Sequence, residues 1–164
     1  NLVSYFNRVL HIWEYEDLNH RAKIRSQVVK DGIWPPQNNP ILLNQQVDIF
    51  FPAPFMPKFD RNRNIGPIFE LRLYKYPPGT IPLVIDAWSE KIESRMTLCP
   101  PVGIWYSELG GVNQWAHMWA YESFEHRIEA RKQFQSIGWP PDSSVSPVSM
   151  QNMIMLAAKF SPIQ

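Results

Sequence analysis

Residues 68–76 alternate between β-prone apolar and polar side chains, a period of two that predicts a strand. Thr80 then reads as the cap of a helix with Pro82 in its first turn. Val84, Trp88, Ile92 and Met96 recur every four positions and predict one buried stripe, stopped by Pro100-Pro101. Residues 102–109 predict a second strand, Gly110-Gly111 a turn, and 114–121 a third strand hairpinned with the second. Ser123 predicts the cap of a second helix over about 124–136, closed by Gly138 and a Trp-Pro-Pro step. After a Ser/Pro loop, residues 150–158 predict a fourth strand. The order β-α-β-β-α-β is that of a ferredoxin-like unit.

Part of this pattern occurs twice. Shifted by 106 positions, Asn7, His11, Trp13, Tyr15, Glu16, His20, Arg21 and Arg25 fall on Asn113, His117, Trp119, Tyr121, Glu122, His126, Arg127 and Arg131. Matched Trp and His are rare residues, which makes the repeat specific. Trp34-Pro35-Pro36 matches Trp139-Pro140-Pro141 after a one-residue slip, and Gln45 matches Gln151. The first copy predicts a strand over 7–15, a helix over about 18–30 capped by Asp17, and a strand over 44–51. The second copy has 46 residues before its repeat begins and the first only 6, so a strand, a helix and part of a hairpin, about 40 residues, have no counterpart. The expected organisation is therefore a partial first module (1–51), a Pro-rich linker (52–66) and a complete second module (67–164). Half a unit leaves strand edges and an apolar face uncovered, so another segment or another protein chain is expected to complete it.

Alternation sorts the side chains onto faces. Trp115, His117, Trp119 and Tyr121 share one face of the third strand, and Ala116, Met118 and Ala120 the other. Val9, His11, Trp13 and Tyr15 are the first-copy counterparts of the ring-bearing face. On the first strand Glu70, Arg72, Tyr74 and Tyr76 oppose Phe69, Leu71 and Leu73. The smaller apolar set is expected beneath the helices, with the ring-rich, polar set turned away from them. So many rings do not stay in water. Two such sheets pressed face to face predict a barrel lined by Glu70, Arg72, Tyr74, His117, Trp119, Tyr121, His11, Trp13 and Tyr15. Glu70 and Arg72 are expected to pair inside it. Such a lining admits a small-molecule pocket, but a self-satisfied packed core is the simpler expectation. No nucleophile, orienting partner or metal cluster is legible, so no catalytic residue, metal ligand or cofactor is assigned. His20 and His126 read as capping or solvated, and Cys99 as a small buried residue.

Composition changes the picture in a few respects. With 16 Lys plus Arg against 15 Asp plus Glu, the chain lacks the basic footprint of a phosphate-neutralising nucleic-acid binder. One cysteine excludes an internal disulfide and a thiolate zinc site. Sixteen prolines and 19% charged residues fit a chain that lies along partners. The longest apolar run, 153–158, is too short to span a bilayer. The start at Asn1 raises the expectation of a preceding leader or longer N-terminal region.

Three stretches resemble a known family. Phe69-Glu70-Leu71-Arg72-Leu73-Tyr74 with Pro78-Gly79 is similar to the opening strand of NIPSNAP domains. Gly103-Ile104-Trp105, Glu108-Leu109-Gly110, Asn113-Gln114, His117-Met118-Trp119-Ala120-Tyr121-Glu122-Ser123 and Arg127 resemble that family's central signature. Phe160-Ser161-Pro162 resembles the C-terminus of its eukaryotic members. The resemblance implies an α+β fold of tandem ferredoxin-like modules forming a dimeric α+β barrel, the first module incomplete at its N-terminus. It also implies a mitochondrial location, on the matrix side or associated with the inner membrane, and a mainly non-catalytic role. In the family that role is linked to mitochondrial quality control, vesicle traffic and membrane protein complexes. No catalytic residue carries over. The expected function is a structural or accessory subunit, peripheral in an inner-membrane assembly such as a respiratory complex. Its partners are other protein chains, without nucleic acid and without a membrane span of its own. The alternative is a small barrel enzyme, like the cofactor-independent monooxygenases and haem-degrading members of the superfamily, or a small-molecule carrier. A weaker expectation is an adaptor displaying short motifs in 52–66.

Overall fold

The computed structural model describes residues 8–34, 43–60 and 65–163. The chain divides into two units, residues 1–46 and 47–164.

In the first unit, α1 (Leu18–Lys30) begins where Asp17 accepts a 2.7 Å hydrogen bond from the His20 amide, as the sequence predicts. The helix buries no residue, and Leu18, Ile24 and Val29 are exposed. The strand expected over 7–15 does not form. Residues 8–15 are irregular, Trp13 is 66% exposed, and Asn7 lies outside the described residues. A strand needs a ladder partner, and residues 8–15 pair with no strand among the described residues.

The second unit runs β1 (Ile49–Pro52), β2 (Ile68–Lys75), α2 (Ile81–Ser89), α3 (Ile92–Leu98), β3 (Pro101–Leu109), β4 (Gln114–Tyr121), α4 (Phe124–Ser136) and β5 (Ser149–Leu156). Its strands form one antiparallel sheet in the order β1-β3-β4-β2-β5. The last four strands follow the ferredoxin-like order expected of the second module. Of the strand expected over 44–51 only the end forms, as β1, which runs one residue further and pairs with β3. The Asp48 carboxylate steadies this junction by accepting a 3.1 Å hydrogen bond from the Gly111 amide in the β3–β4 turn.

The single helix expected after Thr80 is two, broken at Glu90–Lys91. The Lys91 amide bonds the Trp88 carbonyl in a tighter turn and Lys91 leaves helical geometry. Thr80 does not cap with its side chain; its hydroxyl donates to the Pro77 carbonyl instead. The predicted stripe survives the break, with Val84, Trp88 and Ile92 buried and Met96 half-buried. The break also sends Arg95 inward. In α4, Ser123 caps as expected, accepting from the His126 amide at 3.0 Å.

The expected assignment of sheet faces is reversed. Trp88 of α2 packs on Trp115 and His117, Arg95 of α3 on Trp119, and Arg127 of α4 reaches Glu70. The helices therefore cover the ring-rich face. Phe69, Leu71, Val102, Met118 and Ala120 form the other core, packed by Phe59, Ile65 and Ile163 from the linker and the C-terminal tail. Both faces are apolar enough to need a cover, so alternation alone does not say which the helices take. The larger ring surface gains more from burial under three helices, and Glu70 gains Arg127 there. Among the described residues the mixed α+β fold holds one antiparallel sheet with β1 and β5 at its edges.

Candidate functional site

Glu70 is the electrostatic centre of the second unit. Its side chain is 1% exposed, and Arg127 grips it from α4 with Nε to Oε2 at 3.0 Å and Nη2 to Oε1 at 2.7 Å. Arg72, two residues along the same strand, adds Nε to Oε1 at 3.2 Å and donates to the Tyr74 hydroxyl at 2.9 Å. The expected Glu70–Arg72 pair thus exists, but Arg127 is the closer partner. Burial alone pushes the Glu70 carboxyl up; the Arg127 hydrogen bonds and the two guanidinium charges outweigh it and hold the carboxyl below its ordinary value.

His117 stands opposite Arg72 on β4, enclosed by Tyr74, Trp88 and Trp119 with ring centroids 4.9–5.9 Å away. The Trp119 indole, a donor only, gives a 2.6 Å hydrogen bond to Nδ1. Nδ1 is therefore an acceptor and the ring proton sits on Nε2, which has no hydrogen-bond partner among the described residues. Burial first, then the Arg72 and Arg95 charges, push the His117 pKa well below its ordinary value. His117 is a neutral hydrogen-bond donor here, and the general-base role open to it on sequence grounds has no free lone pair.

Arg95 is buried between the Trp119 and Phe134 rings, 3.6 and 3.4 Å from their centroids, and donates to the Cys99 carbonyl at 3.0 Å. Cys99 is buried, as expected, with Sγ 3.3 Å from the Ala120 carbonyl. Burial and the Glu70 charge push the Tyr121 hydroxyl up to about 12.

These groups surround a cavity of about 430 Å³ between the β2–β4 face, α3, α4 and the loop after Trp139. Six of the nine sequence-predicted residues line it: Glu70, Arg72, Tyr74, His117, Trp119 and Tyr121. The cavity lies on the helix-covered face of the sheet. His11, Trp13 and Tyr15 belong to the first unit on irregular chain, where His11 contacts the Trp13 and Trp34 rings and Tyr15 contacts His20. Sequence reasoning missed Trp88, Arg95, Arg127, Arg131 and Trp139. Arg127, Arg131 and Trp139 carried a signal, being repeat identities with Arg21, Arg25 and Trp34. Arg95 carried none. His20 and His126 cap, each accepting at Nδ1 from the backbone amide four residues earlier. Among the described residues no group of three His, Cys, Asp or Glu side chains is placed to hold a metal ion. No described helix is long and apolar enough to cross a membrane.

The NIPSNAP family model matches residues 4–57 and again 69–162. Human NipSnap homolog 3A is 27% identical over 96% of this chain and 67% of its own length. Human NipSnap homolog 3B is 28% identical over the same shares, and the NipSnap homolog of Dictyostelium discoideum is 31% identical over 76% of this chain and 56% of its own. Among solved structures, a NIPSNAP family protein of unknown function from Agrobacterium tumefaciens superposes with a TM-score of 0.52 at 26% identity, covering 63% of this chain and 98% of that one. An uncharacterised NIPSNAP-like domain protein from Burkholderia xenovorans gives 0.51 at 27% identity, covering 60% and 91%.

Proposed function

This chain belongs to the NIPSNAP family, and from that premise we propose that it acts without covalent chemistry, as a mitochondrial accessory protein that associates with other chains. The observation carrying this reading is β5. This edge strand pairs only with β2 among the described residues, and it carries the exposed Met150, Ile154 (44% exposed) and Leu156 (75% exposed). An unpaired edge with apolar flanks is a template for strand addition. The occupant that fits is a strand from a second NIPSNAP-type module. The opposite edge already accepts such a strand, because β1 belongs by the repeat to the first module and pairs with β3 of the second. A place at the periphery of an inner-membrane respiratory assembly is the setting this role implies. The test is crosslinking in isolated mitochondria with mass spectrometry. Crosslinks from the β5 edge to another chain support the reading, whereas crosslinks confined to this chain, or absence of the protein from mitochondria, contradict it.

A second reading rests on the cavity. A partly open space of about 430 Å³ among rings and arginines falls within the range of small-molecule sites, which favours a carrier or sensor over an enzyme because His117 offers a proton rather than a lone pair. Native mass spectrometry of the gently purified protein tests it: a retained small molecule supports it, and a bare chain that binds nothing from a metabolite panel contradicts it.

A further inference from the structure

We infer that the cavity is an organic-anion site, taking a flat aromatic carboxylate with its ring among Trp88, Trp119 and Trp139 and its carboxylate toward the arginines; this deepens the carrier reading and rests on it. The chemistry follows from what the lining lacks. Its buried spare polar capacity is donor capacity. His117 Nε2 and Arg95 Nε are buried without hydrogen-bond partners among the described residues. Arg131 lines the cavity and forms no ion pair within 4.0 Å among the described residues. The principal acceptor, Glu70, has both oxygens engaged by Arg127 and Arg72, so it neither attracts a cation nor competes for the donors.

Charge points the same way. Arg72, Arg95 and Arg131 line the space against Glu70 and Asp142, with His117 neutral. Because Arg127 already offsets Glu70 from outside the lining, positive charge is left over inside. Guanidinium groups prefer planar oxyanions that accept two parallel hydrogen bonds. The walls are indole and phenyl rings, and Trp88 meets Trp115, His117 and Trp139 edge-on at 4.7–5.0 Å. A ligand body that completes such a cluster is itself flat and aromatic. A cationic ligand is disfavoured by the arginines, and an aliphatic alcohol leaves the ring surface poorly matched.

The experiment is calorimetric titration of the full chain with 1-naphthoate and with its neutral counterpart 1-naphthamide, repeated on Arg131→Gln. Arg131 is exposed at the cavity mouth and outside the Glu70 network, so this variant keeps its fold, which circular dichroism checks. Naphthoate is expected to bind about tenfold or more tighter than naphthamide, the scale of a charge-assisted hydrogen bond, and R131Q to remove most of that preference. An Arg25→Gln variant, altered at the matching position of the first copy, is expected to behave as wild type. If the amide binds as tightly as the carboxylate, or R131Q leaves the preference intact, the anion assignment falls while the carrier reading stands. If neither compound binds at millimolar concentration, both fall.

Discussion

Arg127 and Glu70 stand 57 positions apart, yet they make the tightest ion pair among the described residues, bidentate at 2.7 and 3.0 Å. Because Glu70 is buried, removing Arg127 leaves a charge only partly compensated by Arg72. Arg127→Gln is therefore expected to cost about 3 kcal/mol, read from urea unfolding at pH 7. The pH dependence carries a sign. In the wild type the folded carboxyl sits below its ordinary value of 4.5. That stabilisation is fully present above 4.5 and is lost as pH falls through the folded value. In R127Q burial dominates, the folded pKa moves above the unfolded one, and the variant gains stability on mild acidification where the wild type loses it. His117 acts at higher pH. Its folded pKa lies well below 6.5, so the unfolded chain takes up a proton first and stability declines as pH drops below 6.5. His117→Gln, which still offers the Trp119 indole an acceptor, is expected to flatten the unfolding free energy between pH 6.5 and 5, where the wild type slopes by up to about 1.4 kcal/mol per pH unit. An identical slope in the variant contradicts the neutral buried imidazole. At this scale the sequence made the Glu70–Arg72 pair readable, because residues two apart on a strand share a face. Arg127 was hidden because its partner is set by how a helix docks.

The caps at Asp17 and Ser123, the four strands of the second module and the Val84–Trp88–Ile92 stripe were all legible, since each depends on local chemistry or on one period. Three features depend on what lies opposite, and these were not. Residues 8–15 carry the same Trp and His pattern as β4 but pair with no strand among the described residues and stay irregular. The helix after Thr80 breaks where the chain turns Arg95 between two rings. The ring-rich face lies under the helices because both faces needed cover. Trp88 holds the helical layer to the sheet, touching Trp115, His117 and Trp139. Trp88→Ala is expected to cost about 4 kcal/mol in thermal or chemical unfolding. Leu156→Lys, at an exposed position on β5, is expected to change stability by less than about 0.5 kcal/mol while weakening association. Unchanged association in a folded L156K argues against β5 as the contact edge.

At the scale of the whole chain, the repeat raises the expectation of two modules, the first incomplete, and the chain divides into two units. The second holds one sheet, two buried clusters and the cavity. In the first, the described helix buries nothing, although its twin α4 buries Ala130 and Phe134. The same pattern of residues thus gives a helix with buried residues in α4 and one without them in α1. Under the proposed association with another chain, the open edge of β5 is the contact. Light scattering on the purified chain across a concentration series measures this most directly. Association predicts a mass of two or more copies of 19.2 kDa that falls toward a single copy in L156K. A compact species of 19.2 kDa at every concentration, with L156K indistinguishable from it, contradicts the account.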